Sequence, residues 1–381
     1  MFKHLWILAW LLPTTCCYAA SGQVIPPADR NDAVSLTFDR SQTSVSNLTL
    51  YDHDIGVFED NDHWIREYGK SGWICTDDKN TANGSCDAKT IIDDFAAPPT
   101  IIKLLFVEQR SLTQVWINVE AYNEGLWPAV CSEHPTKYKI NFAGAPHCYS
   151  AGKPVSGRAL SASITANELK KIPYGGIWKA KMVLEERGIV TSGTETHLAT
   201  WTKTITLNVT DMNNQQIYLP DFGNAAPHVD LNLRPLPGTT GNHTMLSGTA
   251  TLDMCLYDGY NANSSTFILS PKDDHSGLPG REYGLFSVYH NGKTDDANRI
   301  DYQLKILNLV SREFIDLKNW QNYVATGISA APLRSVHLPG IPEAVLCVPT
   351  ALRFVTPEFA ITSKTAGSYT GTLHLTFTTG M

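Results

Sequence analysis

The sequence predicts an all-β protein with two β-sandwich domains in tandem. Segments in which apolar and polar residues alternate recur along the chain, as half-buried strands require, and long helical patterns are absent. Two clear examples are "QVWINVEAY", which begins at Gln114, and "WTKTITLNVTD", which begins at Trp201. The chain has 381 residues, and the roughly 360 that follow the predicted leader suffice for two such domains.

The first 20 residues predict a secretory signal peptide. Lys3 supplies a positive charge, an apolar run extends from Leu5 to Leu12, and Tyr18-Ala19-Ala20 supplies small residues for cleavage. The apolar run is too short to span a membrane, and no later segment reaches the ~18 apolar residues that a spanning helix needs. We therefore expect an exported protein without stable membrane insertion.

The elements of the first domain follow in order. Short strand signals, "VSLTF" and "SNLTLY", lie within a polar region over 21–65, and "TIIKLLFVEQRS" precedes the two strands quoted above. In "TANELKKIPYGGIW", Thr165 and Glu168 form a capping box, and Pro173 limits the helix to one or two turns.

A domain boundary is predicted at 211–214, where the polar, turn-prone segment "DMNNQQ" begins. This boundary defines a first domain over 21–211, a linker over 212–214 and a second domain over 215–381. The second domain has the size of a single β-sandwich. Its last segment, "AGSYTGTLHLTFTTGM", alternates as a half-buried strand does. The residues on its apolar side include Tyr369, Leu373, Leu375 and Phe377.

Six cysteines remain after the leader, and an even number in an exported chain indicates disulfides. Six cysteines allow 15 pairings, of which nearest-neighbour pairing is the simplest. Zinc is disfavoured because neither CxxC nor HxxxH spacing occurs. The six are Cys75, Cys86, Cys131, Cys148, Cys255 and Cys347.

Charge and motifs exclude several functions. The net charge of −7 and the pI near 5.9 offer no general attraction to nucleic acid. Nucleophile elbows, phosphate loops and Rossmann glycine patterns are absent, so we expect no catalytic residues, no cofactor and no metal. The acidic stretch "YDHDIGVFEDNDHW" lacks the glycine and terminal glutamate spacing of a calcium loop and is interpreted as a solvated loop. Basic residues such as Arg66, Lys70, Arg110 and Arg187 remain as candidates for binding a sugar.

Several longer segments carry a family resemblance. They are "FVEQRSL", "IPYGGIW", "LNVTDMNNQQIYLP", "HVDLNLRP", "LDMCLYDGYNANSS", "VLCVP" and the closing "AGSYTGTLHLTF". In this order they resemble the minor tip adhesins of class 5 fimbriae, the colonization-factor pili of the alternate chaperone–usher route, which include the CblD-like pilus biogenesis initiators. The resemblance spans nearly the whole mature chain.

The resemblance implies an N-terminal adhesin domain, a short linker and a C-terminal pilin domain with an incomplete immunoglobulin-like fold. It implies the pairs Cys75–Cys86, Cys131–Cys148 and Cys255–Cys347. The pilin domain would be completed by a donor strand from the major pilin, entering beside the strand that contains Tyr369, Leu373, Leu375 and Phe377. A periplasmic chaperone and an outer-membrane usher would act during assembly, and the protein would reach the fimbrial tip at the cell surface through the periplasm.

The family binds its host receptor through a few arginines on the adhesin domain. The first of these positions is matched here by Lys70 in "YGKSGWIC", and the arginine pair that follows "GGIW" is matched by Arg187 alone in "LEERGIV". Lysine keeps the charge but loses the bidentate fork of arginine. We expect a host glycan or glycoprotein to bind at Lys70 and Arg187, with Arg66 nearby in sequence.

Two other functional hypotheses remain from the sequence. The chain could initiate pilus assembly without binding a receptor, which mutation of Lys70 and Arg187 would test. It could also be a secreted glycoside hydrolase, although its carboxylates are scattered and suggest no acid/base pair.

Overall fold

The computed structural model describes residues 23–42, 44–59, 66–93, 99–127, 137–146, 154–189, 193–222 and 226–380. The predicted signal peptide, Cys131 and Cys148 lie outside these ranges. Strands dominate the described residues, so the prediction of an all-β protein is confirmed.

The first half of the chain forms one large sheet. Its strand order is β1-β3-β8-β6-β5-β9-β10-β2, with β4 added beside β9 and β7 beside β6. Neighbouring strands are antiparallel except β10 and β2, which pair in parallel from Trp201–Arg30 to Thr210–Asp39. The strands are β1 (Val24–Ile25), β2 (Arg30–Asp39), β3 (Leu48–Glu59), β4 (Ser71–Cys75), β5 (Thr100–Glu108), β6 (Gln114–Leu126), β7 (Lys137–Tyr138), β8 (Gly157–Ile164), β9 (Gly176–Ile189) and β10 (Glu195–Thr210).

This sheet curls around one apolar core. Alternate residues of its strands face inwards, including Ile117 and Val119 of β6 and Ile205 and Leu207 of β10, and all four are fully buried. Side chains at opposite ends of the strand order also meet, because the Arg30 guanidinium of β2 donates to the Ile55 carbonyl of β3 at 2.6 Å. The predicted sandwich is therefore one sheet folded onto itself.

The short helix is capped as predicted. Helix α1 (Ala166–Leu169) begins after Thr165, whose side chain accepts a hydrogen bond from the backbone N–H of Glu168. The Glu168 carboxylate does not complete the reciprocal half of the box, since it accepts instead from the Asn118 backbone N–H at 2.8 Å. The helix therefore anchors to β6 as well as to its own N-terminus.

The second half forms two facing sheets. One has the order β11-β13-β20-β16-β15 with β12, β17 and β19 at its margins, and the other has the order β18-β14-β21. Apolar residues from both sheets, such as Phe267 of β14 and Leu304 of β16, form a second core between them. The strands are β11 (Gln216–Tyr218), β12 (Leu233–Pro235), β13 (Met245–Tyr257), β14 (Thr266–Lys272), β15 (Phe286–Tyr289), β16 (Arg299–Leu307), β17 (Phe314–Leu317), β18 (Tyr323–Thr326), β19 (Arg334–Val336), β20 (Val345–Ala360) and β21 (His374–Gly380).

Short 3-10 turns connect several of these strands. The turn over Met212–Asn214 covers the predicted linker, and it is held rather than free because the Asp211 backbone N–H donates to the Gly259 carbonyl at 2.7 Å. The others are Thr81–Asn83, Gly241–His243, Asp296–Asn298, Ile328–Ala330 and Ile361–Ser363.

A buried carboxylate joins the two halves. Glu108, at the end of β5, is fully buried, and its carboxylate accepts hydrogen bonds from its own loop and from the Asn261 side chain of the second half at 2.7 Å. The backbones also approach closely here, because a Cβ at Gly175 would lie 2.0 Å from the Gly259 carbonyl oxygen. The joint is thus a packed polar contact that tolerates no side chain at Gly175.

Two disulfides lie within the described residues. Cys75 is bonded to Cys86 in the first half, and Cys255 is bonded to Cys347 in the second. Both pairs are the ones that the family resemblance implies. The second disulfide is buried and joins neighbouring strands β13 and β20.

Candidate functional site

Lys70 and Arg187 lie on neighbouring backbone segments. Strand β4 pairs with the end of β9, with Gly72 opposite Arg187, and the Ile189 backbone N–H donates to the Lys70 carbonyl at 2.9 Å. Because residues two apart share a face of a strand, this register places Lys70 and Arg187 on the same face of the sheet. The two residues that the sequence singled out are therefore brought together by strand pairing.

Each of the three predicted cations has a carboxylate partner. Lys70 Nζ lies 2.8 Å from Glu67 Oε1, Arg187 Nε donates to Glu185 Oε2 at 2.9 Å, and Arg66 Nη1 lies 2.9 Å from Glu59 Oε1. Arg66 is thereby held to the end of β3. The surface is consequently charge-balanced and presents alternating donors and acceptors rather than a patch of positive charge.

An open cavity of about 520 Å³ adjoins Lys70. Ile189 lines it and also donates a backbone hydrogen bond to Lys70, so the cavity and the cation share a strand end. Its wall is polar on one side, where the Thr90 hydroxyl donates to the Glu195 carboxylate. The full lining is Thr90, Ile91, Ile92, Asp93, Ile189, Gly193 and Glu195.

A buried carboxyl group lies directly behind this surface. Glu186 is on β9 between Glu185 and Arg187, but its side chain points inwards and is fully buried against Trp73 and Gly56. Burial raises the pKa of the Glu186 carboxyl to about 8, although the positive charge of Arg30 acts in the opposite direction. The group is therefore largely protonated at neutral pH.

Replacement of Glu186 by glutamine is expected to remove a pH-dependent loss of stability. The folded-state pKa lies above the ordinary value of 4.5, so the native protein loses stability as pH rises from about 4.5 towards 8, by up to about 1.4 kcal/mol per pH unit. Urea unfolding at pH 5, 6.5 and 8, followed by the fluorescence of the nearby Trp73, measures this slope. Relative to Glu186→Gln, the wild-type chain should lose stability at each step.

Glu313→Gln serves as the matched control, since Glu313 is an exposed carboxylate in the second half. It should change the free energy of unfolding equally little at all three pH values. A constant difference between wild type and Glu186→Gln would contradict the prediction.

A second candidate site is the edge of strand β21. This strand pairs with β14 on one side, from Thr266–Gly380 to Lys272–His374, and within the described residues no strand pairs with its other side. Leu373, Leu375 and Phe377 face the second core but are only half-buried, while the intervening residues are exposed. An unpaired edge above half-covered apolar side chains is the geometry that receives an additional strand.

Tyr369 does not share this edge, and the expectation that it would is wrong. The strand begins only at His374, and Thr370 instead exchanges backbone hydrogen bonds with Tyr289 of β15, at 2.8 and 3.0 Å. The Tyr369 ring packs against His290, and its hydroxyl donates towards the Thr365 carbonyl at 2.7 Å. The chain therefore passes from one sheet to the other before β21 starts.

The carboxylate partners are the site residues that sequence reasoning missed. Glu67 and Glu185 are visible beside Lys70 and Arg187 in the sequence, and proximity was the available signal for an ion pair. Glu59 could not be found this way, because the turn that returns Arg66 to β3 is set by the fold. In the described part of the chain, no group of three or more His, Cys, Asp or Glu residues could hold a metal ion. No described helix has the length and apolarity needed to cross a membrane.

Comparison with known proteins places both halves in one family. The family model for the first domain of the CFA/I fimbrial protein CfaE matches residues 19–212, and the model for its second domain matches residues 215–381. A curated relative, the CFA/I fimbrial protein CfaE of Escherichia coli, is 34% identical over 324 residues, which cover 82% of this chain and 81% of the relative.

Solved structures agree with these matches. The crystal structure of CfaE, the adhesive component of CFA/I fimbria of enterotoxigenic Escherichia coli, superposes with a TM-score of 0.77 at 28% identity, covering 94% of this chain and 93% of that one. The adhesin of a chaperone–tip adhesin complex from CFA/I fimbriae biogenesis gives a TM-score of 0.65 at 27% identity, covering 94% and 98%. The predicted membership in the class 5 tip adhesins is confirmed. This chain belongs to the CfaE family, the fimbrial adhesins with two β domains.

Proposed function

We propose that this protein caps a fimbria at its tip, binds a host-surface glycan or glycoprotein through its first domain (21–211), and accepts a donor strand in its second domain (215–381). The 212–214 turn links the two. The observation that carries the assembly role is the unpaired edge of β21, with Leu375 and Phe377 half-buried beneath it. A strand from another fimbrial protein supplies both the missing backbone partners and the missing apolar cover.

The N-terminal end of the described chain supports the tip position. Val24 and Ile25 form strand β1, which pairs with Phe58 and Glu59 of β3, and β2 follows directly beside β10. A segment already paired within its own domain is not available as a donor strand for another pilin. The protein thus receives a strand but does not give one, which ends the fimbria at this position.

The donor is the major pilin, by its N-terminal extension. A periplasmic chaperone occupies the edge beforehand and an outer-membrane usher exports the complex; the chaperone-bound state of a similar tip adhesin supports the first of these partners. The route leads through the periplasm to the cell surface. The role is adhesive and structural rather than enzymatic.

The receptor surface comprises Lys70 and Arg187 with Arg66 alongside. Because each cation already faces a carboxylate, a strongly anionic ligand meets repulsion from Glu67 and Glu185. A neutral, hydroxyl-rich glycan instead finds donors and acceptors in alternation, and the cavity beside Ile189 offers room for a sugar ring. We therefore assign a neutral glycan as the ligand class.

The double variant Lys70→Ala/Arg187→Ala is expected to reduce adhesion of fimbriated bacteria to host epithelial cells at least tenfold. Exposed ion pairs contribute only about 0–1 kcal/mol to stability, so the variant should fold and assemble normally. Lys181→Ala is the matched control, since Lys181 is an exposed lysine on the same strand β9. Bacteria counted per host cell, with fimbriae quantified in parallel, give the measurement.

Unchanged adhesion in the double variant would remove this site assignment. If adhesion also survived deletion of residues 21–211 from an otherwise fimbriated strain, the protein would be an assembly initiator without receptor binding.

A further inference from the structure

Two large aromatic side chains stand exposed on the second domain. Trp320 is 53% exposed and Tyr283 is 71% exposed, and both lie in loops at one end of the β18-β14-β21 sheet. Lys272 Nζ lies 5.4 Å from the centre of the Trp320 ring, and Lys318 Nζ lies 5.3 Å from that of Tyr283. We call Trp320, Tyr283 and these two lysines the aromatic platform.

The platform is rigidly built from beneath. Asn319 is buried; its backbone N–H donates to the Gly284 carbonyl at 3.1 Å, and its side chain donates to Asp273 Oδ1 at 2.7 Å. Asp273 in turn forms a buried ion pair with Arg281 at 2.7 Å. The loops that present Tyr283 and Trp320 are therefore tied together through one polar network.

Trp320 is also held in an unfavourable backbone conformation. Its φ is +61°, in the left-handed region, which costs a bulky residue roughly 1–2 kcal/mol. Burial does not offset this cost, since half of the side chain faces solvent. Strain at an exposed aromatic that the surrounding network enforces is typical of a recognition surface.

The platform is continuous with the open edge of β21. The Trp320 backbone N–H donates to the Pro271 carbonyl at 3.0 Å, and Pro271 and Lys272 of β14 are opposite Leu375 and His374 of β21. Trp320 and Lys272 thus lie at the end of the sheet where β21 begins. The other end is at Gly380.

Strand direction determines what lies at that end. Both described neighbours of β14 are antiparallel, and an added strand that is antiparallel to β21 runs from the Gly380 end to the His374 end. When the added strand is an N-terminal extension, the folded body of its pilin follows at the His374 end. That body then sits beside Trp320.

We infer that the aromatic platform is the docking surface for the folded body of the pilin that donates the strand. This inference rests on the proposed function, because it needs the β21 edge to be the donor-strand site. The partner surface is an apolar depression for Trp320 with acidic groups opposite Lys272 and Lys318. The contact orients the first pilin on the tip protein, which a flexible strand alone does not do.

Trp320→Gly tests the inference without endangering the fold, because glycine adopts φ near +60° without strain. The mature chain is probed with a synthetic peptide of the major pilin's N-terminal extension, and separately with the whole major pilin whose own groove is filled by a fused strand. The dissociation rate of each probe is measured on an optical biosensor. Trp320→Phe tests for retention of the aromatic contact, and Val310→Ala replaces an exposed apolar residue elsewhere on the domain.

The expected result is that the whole pilin dissociates at least tenfold faster from Trp320→Gly, whereas the peptide dissociates at the wild-type rate. Trp320→Phe should recover most of the difference, and Val310→Ala should behave as wild type. Equal rates for the whole pilin on wild type and Trp320→Gly would overturn the inference while leaving the groove intact. Failure of both probes to bind the wild-type chain would overturn the groove itself. Loss of host-cell adhesion with unchanged pilin binding would overturn docking and assign the platform to a receptor.

Discussion

A donor strand fused behind Met381 is expected to raise the free energy of unfolding of the second domain by several kcal/mol. Leu373, Leu375 and Phe377 are half-buried, and complete burial of such a side chain is worth about 1.5–3 kcal/mol relative to full exposure. The new strand also pairs the unpaired backbone groups along β21. A short hairpin loop after β21 delivers the antiparallel direction that the edge accepts.

Urea unfolding of the mature chain with and without the fused strand measures this gain. The matched control is the same fusion with its inward-facing apolar residues changed to serine, which keeps the length and the loop but not the cover. The unfused chain should also aggregate more readily through its open edge. Equal unfolding midpoints for all three chains would contradict the proposal that β21 borders a missing strand.

Removal of the Cys255–Cys347 disulfide is expected to be the most destabilising of the side-chain changes considered. The two cysteines are 92 residues apart, and closing so long a loop in the unfolded chain corresponds to about 5 kcal/mol in the chain-entropy model. Both cysteines are fully buried, so Cys255→Ala/Cys347→Ala loses packing as well. Thermal and urea unfolding of the double variant, with the donor strand supplied by fusion, give the loss.

Cys75→Ala/Cys86→Ala is the internal comparison. These cysteines are 11 residues apart, for which the same model gives about 3 kcal/mol. The loss should therefore be larger for the long loop, and the two variants should destabilise different halves of the protein. A larger loss from the short loop would show that native packing, rather than loop closure, sets the contribution of these bonds.

Local pattern was sufficient for much of the fold. Alternation identified β6, β10 and most of β21, and Thr165 with Glu168 located the single described α-helix, because strand faces and helix caps depend on residues close in sequence. Tyr369 shows where this ends. It continues the alternation of β21, yet Thr370 pairs with Tyr289 in the opposite sheet, and no local pattern records a partner so distant in sequence.

The candidate site divides in the same way. Lys70 and Arg187 were found from family motifs, and strand pairing brings them together. Their charges are nevertheless balanced by Glu67 and Glu185, and Glu186 between them is buried while Glu185 is not, because successive residues of a strand face opposite sides. The sequence predicted a cationic surface; the structure shows a charge-balanced one.

By itself, the sequence determined the all-β class, the position of the turn between the halves, the disulfide-rich exported character and the family. These properties follow from composition, period and local motifs. Tertiary structure alone decided the curl of the first sheet, the joint at Glu108, the start of β21 at His374 and the convergence of Trp320 with Tyr283. The physical reason is that each of these depends on pairing and packing between segments far apart in the chain, whose geometry only the assembled sheets define.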